Sequence, residues 1–404
     1  MIRFLARYKT DWLPMLLLVL SAGSIFFVFF RKELLYLTLI VFGYLFLAKF
    51  LYKKTLTTLA MLCVIFFSFL AINYFFANRE QSIQKLLANG VIFLSSMFAA
   101  LYYHSQKKSY LKHLYFVLKI ILFHSILNFL AYPIVKPLLI EISNDRYDCL
   151  TFFNVFFYLG NTHLFSVFGF EMSRNQGIFW EPGVLQIVLN LLLFIESFIF
   201  KRRGLIFSAT VLGIISTFST TGLFVMLIQL FISFFRIVKT KTYLAPLFLI
   251  VLGGVFLVAE VNVRDKLSGS GQLSFQARFF DLVQPFQILI DNPLTGVGLD
   301  DEQYVEVRQQ PKYSLNLGVL DFSNRSKGST NSVMFFLAAA GIPFSLLVFY
   351  LLYYQQFFFE KRLWFFIFIV ISLMTEPLLL RPFFLTFVMS GGIYLISKFT
   401  WRGF

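Results

Sequence analysis

Two arginines in polar segments carry the chemistry that this sequence offers. Arg174 lies in the segment Ser-Arg-Asn-Gln-Gly-Ile-Phe-Trp-Glu-Pro-Gly, seven residues before Glu181, and Arg278 lies in Ser-Phe-Gln-Ala-Arg-Phe-Phe-Asp. A guanidinium is permanently charged and binds phosphate oxygens in a bidentate way. We therefore treat both arginines as candidates for holding a phosphate, and Glu181 as a candidate general base.

The segment around Glu181 has a structural interpretation as well. Pro182 suits the first turn of a helix, and a carboxylate just before it complements the helix dipole. If the segment is helical, the spacing of seven residues puts Arg174 and Glu181 on one face. Trp180 is a candidate for stacking on a sugar, but an aromatic side chain here equally suits the membrane interface.

The residues around Arg278 predict a helix that lies along the membrane surface. Apolar residues recur at spacings of four, three and four, which is the period of one helical face: Phe275, Phe279, Leu282 and Phe286. We expect Pro285 to bend or stop this helix. Asp281 follows Arg278 by three residues, so a surface ion pair is the alternative to a phosphate contact.

Further polar residues near the predicted membrane surface are candidates for substrate binding. Arg325, Lys327 and Asn331 precede or open a late apolar run, and Arg381 lies between the last two runs. Their structural alternatives are solvated loop charges, a helix cap and a turn. Sequence patterns of metal, nucleotide or dinucleotide sites are absent, so neither a metal nor a cofactor is expected.

The composition predicts a polytopic helical membrane protein. Of the 404 residues, 58% are hydrophobic and 14% are charged, whereas soluble domains carry about a quarter charged residues. Apolar runs of about 20 residues recur, and each is long enough to cross ~30 Å of hydrocarbon. The net charge of +15 lies in short clusters between these runs, as membrane orientation requires, so nucleic acid is not an expected partner.

We expect an all-α protein with about twelve membrane-spanning helices, forming one domain over residues 1–404. The predicted spans are 13–30, 34–51, 56–77, 86–104, 114–135, 184–200, 204–220, 222–236, 244–260, 331–353, 363–380 and 382–398. The distribution of lysine and arginine between them places both termini in the cytoplasm. Two long polar loops, 141–183 and 261–330, then lie on the external face and carry most of the candidate residues.

The order of these motifs resembles the O-antigen polymerase and O-antigen ligase superfamily of bacterial surface-polysaccharide assembly. The resemblance rests on Arg-x-x-Gly-x-x-x-Glu-Pro-Gly over 174–183 and on Asp-Asn-Pro-Leu-x-Gly-Val-Gly over 291–298. It also rests on Thr330-Asn331 before a span and on Ala-Gly-Ile-Pro over 340–343. In the ligase branch a histidine usually stands at the position of Thr330, so this chain is more similar to the polymerases.

The resemblance implies a metal-independent, GT-C-like glycosyltransferase in the bacterial inner membrane, with its long loops in the periplasm. Such an enzyme transfers a glycan from undecaprenyl pyrophosphate to a second lipid-linked repeat unit. Membrane lipid and a chain-length regulator protein are the further partners that it suggests. The alternatives are an O-antigen ligase and a flippase for the same lipid-linked oligosaccharide; a flippase should carry polar groups at the bilayer midplane and repeated halves.

Overall fold

The computed structural model describes residues 10–49, 53–144, 147–160, 164–167, 170–238, 246, 253, 272–313 and 328–400. The chain divides into two compact units. Unit 1 comprises Met1–Arg31 and Lys112–Leu273, and unit 2 comprises Lys32–Leu111 and Ser274–Phe404. The single domain over residues 1–404 stays a prediction.

Helices dominate the described residues. In chain order they are α1 Leu13–Leu20, α2 Ile25–Phe29, α3 Arg31–Lys49, α4 Lys53–Phe76, α5 Ile83–His104, α6 Lys107–Val135, α7 Pro182–Phe194, α8 Leu205–Ser216, α9 Thr220–Val238, α10 Gln272–Asp291, α11 Asp301–Arg308, α12 Ser332–Tyr353, α13 Arg362–Leu373 and α14 Pro382–Thr400. A π-helical turn, Ile195–Phe200, continues α7.

Most predicted spans coincide with a helix to within a few residues. The first, 13–30, is wrong as one helix, because the chain breaks at Gly23 between α1 and α2. The span at 363–380 ends early, at Leu373, ahead of Glu376-Pro377, because a residue before proline is disfavoured in the helical conformation. The span predicted at 244–260 lies outside the described residues, apart from isolated positions.

Five of the described helices are long and apolar enough to cross a membrane. They are Lys54–Phe76, Ile83–His104, Lys107–Leu138, Pro182–Phe200 and Ser332–Tyr353. Three shorter apolar helices accompany them: Leu205–Ser216, Thr220–Phe235 and Pro382–Lys398. The helical membrane class is thus confirmed, whereas the number twelve, the external loops and the cytoplasmic termini stay predictions.

The region predicted as the first long loop contains two small antiparallel sheets. One consists of β1 Ile140–Asn144, β2 Tyr147–Phe152 and β3 Phe156–Tyr158; the other consists of β4 Leu164–Val167 and β5 Phe170–Ser173. The tight turn between β2 and β3 comprises residues 153–155, because Phe152 pairs with Phe156, and Phe153 and Asn154 have positive φ. These strands are an addition to the predicted all-α class, and their aromatic and β-branched residues favour them.

Each unit has its own apolar core. In unit 1 every residue of α7 is buried, and α7 packs against α8 and α9. In unit 2, α14 packs against α5 and α12. Unit 1 contains the motif segment 174–183, and unit 2 contains the motif segment 291–298.

Candidate functional site

The segment 174–183 of unit 1 is an extended turn. The Asn175 side chain donates to Ser125 O at 3.0 Å and to Ser216 Oγ at 2.8 Å, and it accepts the Gly177 N–H at 3.1 Å. Gly177 has φ +56°. Because the Asn175 side chain takes up backbone groups and Gly177 is left-handed, no helix forms here. The expectation that Arg174 and Glu181 share one helical face is therefore wrong.

The same segment bridges the break between α1 and α2. Gly23 has φ +128°, and the next helix, α2, begins at Ile25. The Ile25 N–H donates to Ile178 O at 3.0 Å, and the Trp180 N–H donates to Gly23 O at 3.2 Å. An unsatisfied buried backbone group is unfavourable, so these bonds stabilise the interruption between α1 and α2.

Arg174 contacts the C-terminal end of α8. Its Nε donates to Thr217 O and its Nη2 to Phe218 O, each at 3.2 Å. A cation at this end of a helix is favoured by the helix dipole and satisfies terminal carbonyls. Arg174 thus has a structural role, and its contact with phosphate stays a prediction.

Glu181 and Trp180 lie between this turn and α7. Glu181 is exposed and occupies the N-cap position, as the structural interpretation expected, but its side chain makes no capping hydrogen bond. Trp180 is half-buried, and its carbonyl accepts the hydroxyl of Tyr147. The rings of Tyr147 and Trp180 have centroids 6.4 Å apart. Tyr147 of β2 thereby joins the site, a residue that sequence reasoning missed because the strand was not predicted.

Gln176 is 0% exposed, and its side-chain amide lies beside the Tyr147 hydroxyl. The indole nitrogen of Trp180 is a buried polar atom without a hydrogen-bond partner among the described residues. Burial raises the pKa of the Tyr147 phenol well above its ordinary value; Cys149 and Glu181 add to the rise, and the Gln176 side chain opposes it. Tyr147 is therefore a neutral hydroxyl at physiological pH. Gln176 was missed although it lies inside the quoted motif.

Arg278 lies on α10 in unit 2, half-buried. The predicted helix is confirmed, and its apolar stripe is exposed: Phe279 is 46%, Leu282 40% and Phe286 52% exposed. The helix does not stop at Pro285 but continues to Asp291. Packing of the opposite face overrides the proline, as the burial of residues such as Phe280 and Ile288 indicates.

Asp281 is the centre of a buried polar network. Its Oδ1 contacts Nη2 of Arg308, and its Oδ2 accepts the N–H of Thr330 at 2.8 Å and the hydroxyl of Thr330 at 2.6 Å. The Arg308 and Asp281 side chains are 1% and 0% exposed. Gln284 donates to Arg308 O at 2.7 Å. The idea that Asp281 forms a surface pair is therefore wrong, because tertiary contacts with Arg308 and Thr330 enclose it.

The segment 291–298 makes backbone hydrogen bonds across a break in helix α12. Helix α12 is broken at Gly341, where φ is +77°. The N–H groups of Val297 and Gly298 donate to Ala338 O and Ala339 O at 3.1 and 2.9 Å. The Ile342 N–H donates to Pro293 O at 2.8 Å. The two motifs at 291–298 and 340–343 thus close one helix break together.

Asn331 caps α12, and Arg381 begins the last helix. The Asn331 side chain accepts the Met334 N–H at 3.0 Å, which confirms the capping alternative for this residue. Arg381 is half-buried, and its carbonyl accepts the Leu385 N–H at 3.0 Å. Arg325 and Lys327 lie outside the described residues. Substrate contacts of all four residues stay predictions.

The described residues define a helical membrane protein with a polar cluster around Gln176 and Glu181 in unit 1. Arg174 and Arg278 belong to different units, and a shared pocket stays a prediction. Among the described residues, no three His, Cys, Asp or Glu side chains gather as metal ligands. Comparisons with family models, curated proteins and solved structures find no match.

Proposed function

We propose that the chain is an O-antigen polymerase, a glycosyltransferase with a GT-C-like fold in a bacterial inner membrane. The donor is a glycan on undecaprenyl pyrophosphate, and the acceptor is a sugar hydroxyl of a second lipid-linked repeat unit. The observation that carries the proposal is the polar cluster of unit 1. The indole nitrogen of Trp180 has no hydrogen-bond partner among the described residues and adjoins the exposed carboxylate of Glu181, and this favours a polar ligand there.

The proposed reaction is a substitution at the anomeric carbon. The acceptor oxygen forms a bond to this carbon, the bond to the pyrophosphate oxygen breaks, and Glu181 takes the hydroxyl proton. The pyrophosphate leaves with additional negative charge, which the Arg174 guanidinium stabilises. Trp180 contacts the sugars. No metal or other cofactor takes part.

Deletion of the gene tests the class of activity. We expect the lipopolysaccharide of deletion cells to lose its ladder and to retain core with a single repeat unit, because the repeat units are still made and ligated. Bare core with accumulating lipid-linked polymer would instead identify the ligase. Loss of all periplasmic repeat units would identify the flippase, and an unchanged ladder would reject all three.

Arg174→Lys tests the role of the guanidinium. Lysine retains the charge but binds one oxygen at a time, so we expect the complemented ladder to shorten or disappear. Arg203→Lys is the matched control, since Arg203 of the same unit donates to Ser233 O at 2.8 Å and to Ser233 Oγ at 3.0 Å. Equal ladders from both variants, at equal membrane abundance, would contradict the proposal for Arg174.

A further inference from the structure

We propose that unit 2 binds an anionic phospholipid at the end of α12, with an acyl chain in an apolar groove and the phosphate at Arg362. The groove has a volume of about 660 Å³ and is lined by residues of α12, by Tyr354 and by Phe366 of α13. Asn331, a substrate candidate of this unit, caps the opposite end of α12. The inference thus concerns a second site and does not depend on the proposed glycosyltransferase activity.

The groove is apolar and follows one face of α12. Its lining includes Leu346, Tyr350 and Tyr353, at spacings of four and three residues, and Phe366 of α13. Leu346 and Tyr353 are two helical turns apart, which is about 10 Å along the helix axis. Leu346 is 61% and Tyr350 52% exposed, so the groove is open along its length. Because α12 is long and apolar enough to cross a membrane, an acyl chain is the occupant that this groove meets there.

Arg362 lies at one end of this groove. Its guanidinium carbon is 5.0 Å from the ring centroid of Tyr353 and 5.2 Å from that of Tyr354, and both rings line the groove. Phe366 follows Arg362 by one helical turn, and its ring centroid is 5.7 Å from that of Tyr353. Tyr353 is the last residue of α12, so the cation lies where a spanning helix reaches the lipid headgroups. The groove and the cation therefore share the same aromatic rings.

The guanidinium of Arg362 has donors to offer to a phosphate. Arg362 is half-buried, and its side chain makes no hydrogen bond or ion pair with the part of the chain that the structure describes. A third ring, that of Phe359, lies 5.0 Å from the guanidinium carbon. Aromatic rings attract the charge of a guanidinium but give its N–H groups no oxygen acceptor. Phosphate oxygens supply these acceptors, and a guanidinium binds two of them at once.

The charges around Arg362 favour an anionic headgroup over a zwitterionic one. Lys361 precedes it in the chain, and Lys107 Nζ donates to Oε1 of Gln356, in the connection between α12 and α13, at 3.2 Å. Glu360, which is exposed, is the acidic residue of this connection. Three cations and one carboxylate leave net positive charge at this end of the groove. Basic residues beside a spanning helix attract anionic lipids.

Quenching of tryptophan fluorescence by brominated lipids tests the site in bilayers. The four natural tryptophans are replaced by phenylalanine, and Tyr350→Trp then provides a reporter in the groove. Leu212→Trp in the same tryptophan-free chain is the control reporter, because Leu212 is 65% exposed on α8 of unit 1. We expect brominated phosphatidylglycerol to bind at the groove reporter about fivefold more strongly than brominated phosphatidylcholine, and the two lipids to bind equally at the control. Equal binding at both reporters would reject the phosphate contact, and no quenching in the groove would reject the acyl chain.

Arg362→Gln tests the cation. Glutamine removes the charge, so we expect phosphatidylglycerol to lose its advantage over phosphatidylcholine at the groove reporter. Arg203→Gln is the matched control, since its guanidinium carbon also lies 5.0 Å from a ring, that of Phe234, but its Nη2 donates to Ser233 O. An unchanged preference in Arg362→Gln, or an equal loss of preference in both variants, would contradict the proposal.

Native mass spectrometry of the natural chain identifies the occupant. We expect phosphatidylglycerol adducts that added glycerol phosphate does not displace, because burial of the acyl chain contributes to binding. Leu346→Phe fills the groove and should weaken phosphatidylglycerol binding, whereas Leu212→Phe should not. Displacement by glycerol phosphate would show a site for free anions, and a dimer that Leu346→Phe dissociates would assign the groove to a second copy of the chain. Either result would overturn the proposal.

Discussion

In unit 1 the helix break at Gly23 is bridged by residues 178–180, and in unit 2 the break at Gly341 is bridged by residues 293–298. Both bridges use backbone hydrogen bonds and a glycine with positive φ, Gly177 in one and Gly296 in the other. A membrane protein needs such bridges because lipid offers no hydrogen bonds to an interrupted helix.

The two bridges differ in the polar atoms beside them. Around 291–298 the side chains are engaged: Thr295 donates to Phe76 O, and Asn292 accepts from Asn78. Asn73 donates to Thr295 O at 2.7 Å and to Ala339 O at 2.9 Å. Around 174–183 the Asn175 side chain is engaged with Ser125 and Ser216, but the indole nitrogen of Trp180 has no hydrogen-bond partner among the described residues. The two segments thus differ in the polar atoms that they leave open.

The largest expected effect on stability is at Gly341, in the helix break of unit 2. A Cβ at Gly341 would lie 2.3 Å from Leu294 O, and the residue has φ +77°. We expect Gly341→Ala to lose more than about 4 kcal/mol of stability. Size-exclusion chromatography should then show a loss of monodisperse protein. Gly43→Ala is the control, since its Cβ would meet nothing closer than 3.7 Å. A stable Gly341→Ala protein would mean that the backbone around this residue can accommodate a Cβ.

Breaking the buried ion pair of unit 2 should give the second-largest loss of stability. Asp281→Asn leaves the guanidinium of Arg308 buried and uncompensated, and breaking such a pair costs about 3–5 kcal/mol. We expect the double variant Asp281→Leu with Arg308→Met to be more stable than either single change. The coupling energy follows from the thermal midpoints of the natural chain, Asp281→Leu, Arg308→Met and the double variant. Strictly additive losses of stability would show that the two side chains are not coupled.

Gly177→Ala tests whether the turn at Gly177 in unit 1 is less crowded than the helix break at Gly341. Its Cβ would meet Ser125 Cβ at 3.3 Å, so the strain comes mainly from φ +56°. We expect a loss of about 1–2 kcal/mol, and a smaller loss for Gly177→Asn, because asparagine tolerates this conformation. The thermal midpoint measures both. A loss of stability as large as that of Gly341→Ala would show that the two sites are equally crowded.

Asp291, where the unit 2 motif begins, should give the smallest effect. The hydrogen bond from Lys312, at 2.8 Å, and that from Tyr313 lower the pKa of Asp291. Because the pKa is lower in the folded state, Asp291 adds stability at pH values above its unfolded pKa of about 3.9. That added stability is lost as the pH falls through the folded pKa. The thermal midpoint of Asp291→Asn should therefore trail that of the natural chain near neutral pH and converge with it in acid. A constant difference would assign the effect to packing.

The sequence by itself determined the helical membrane class and most helix positions. Apolar runs of membrane length are self-sufficient in backbone hydrogen bonds, so each is readable locally. The stripe on α10 and the cap at Asn331 were readable for the same reason, since each depends on neighbours within a few residues.

Tertiary structure alone decided the break of the first span at Gly23 and the partners of Asp281. It also decided that the turn at Gly177 is not helical. In each case the deciding atoms come from distant parts of the chain: Ile178 satisfies Ile25, and Arg308 and Thr330 enclose Asp281. Local patterns hold no information about such partners, because burial and hydrogen bonding across the fold override the preferences of neighbouring residues.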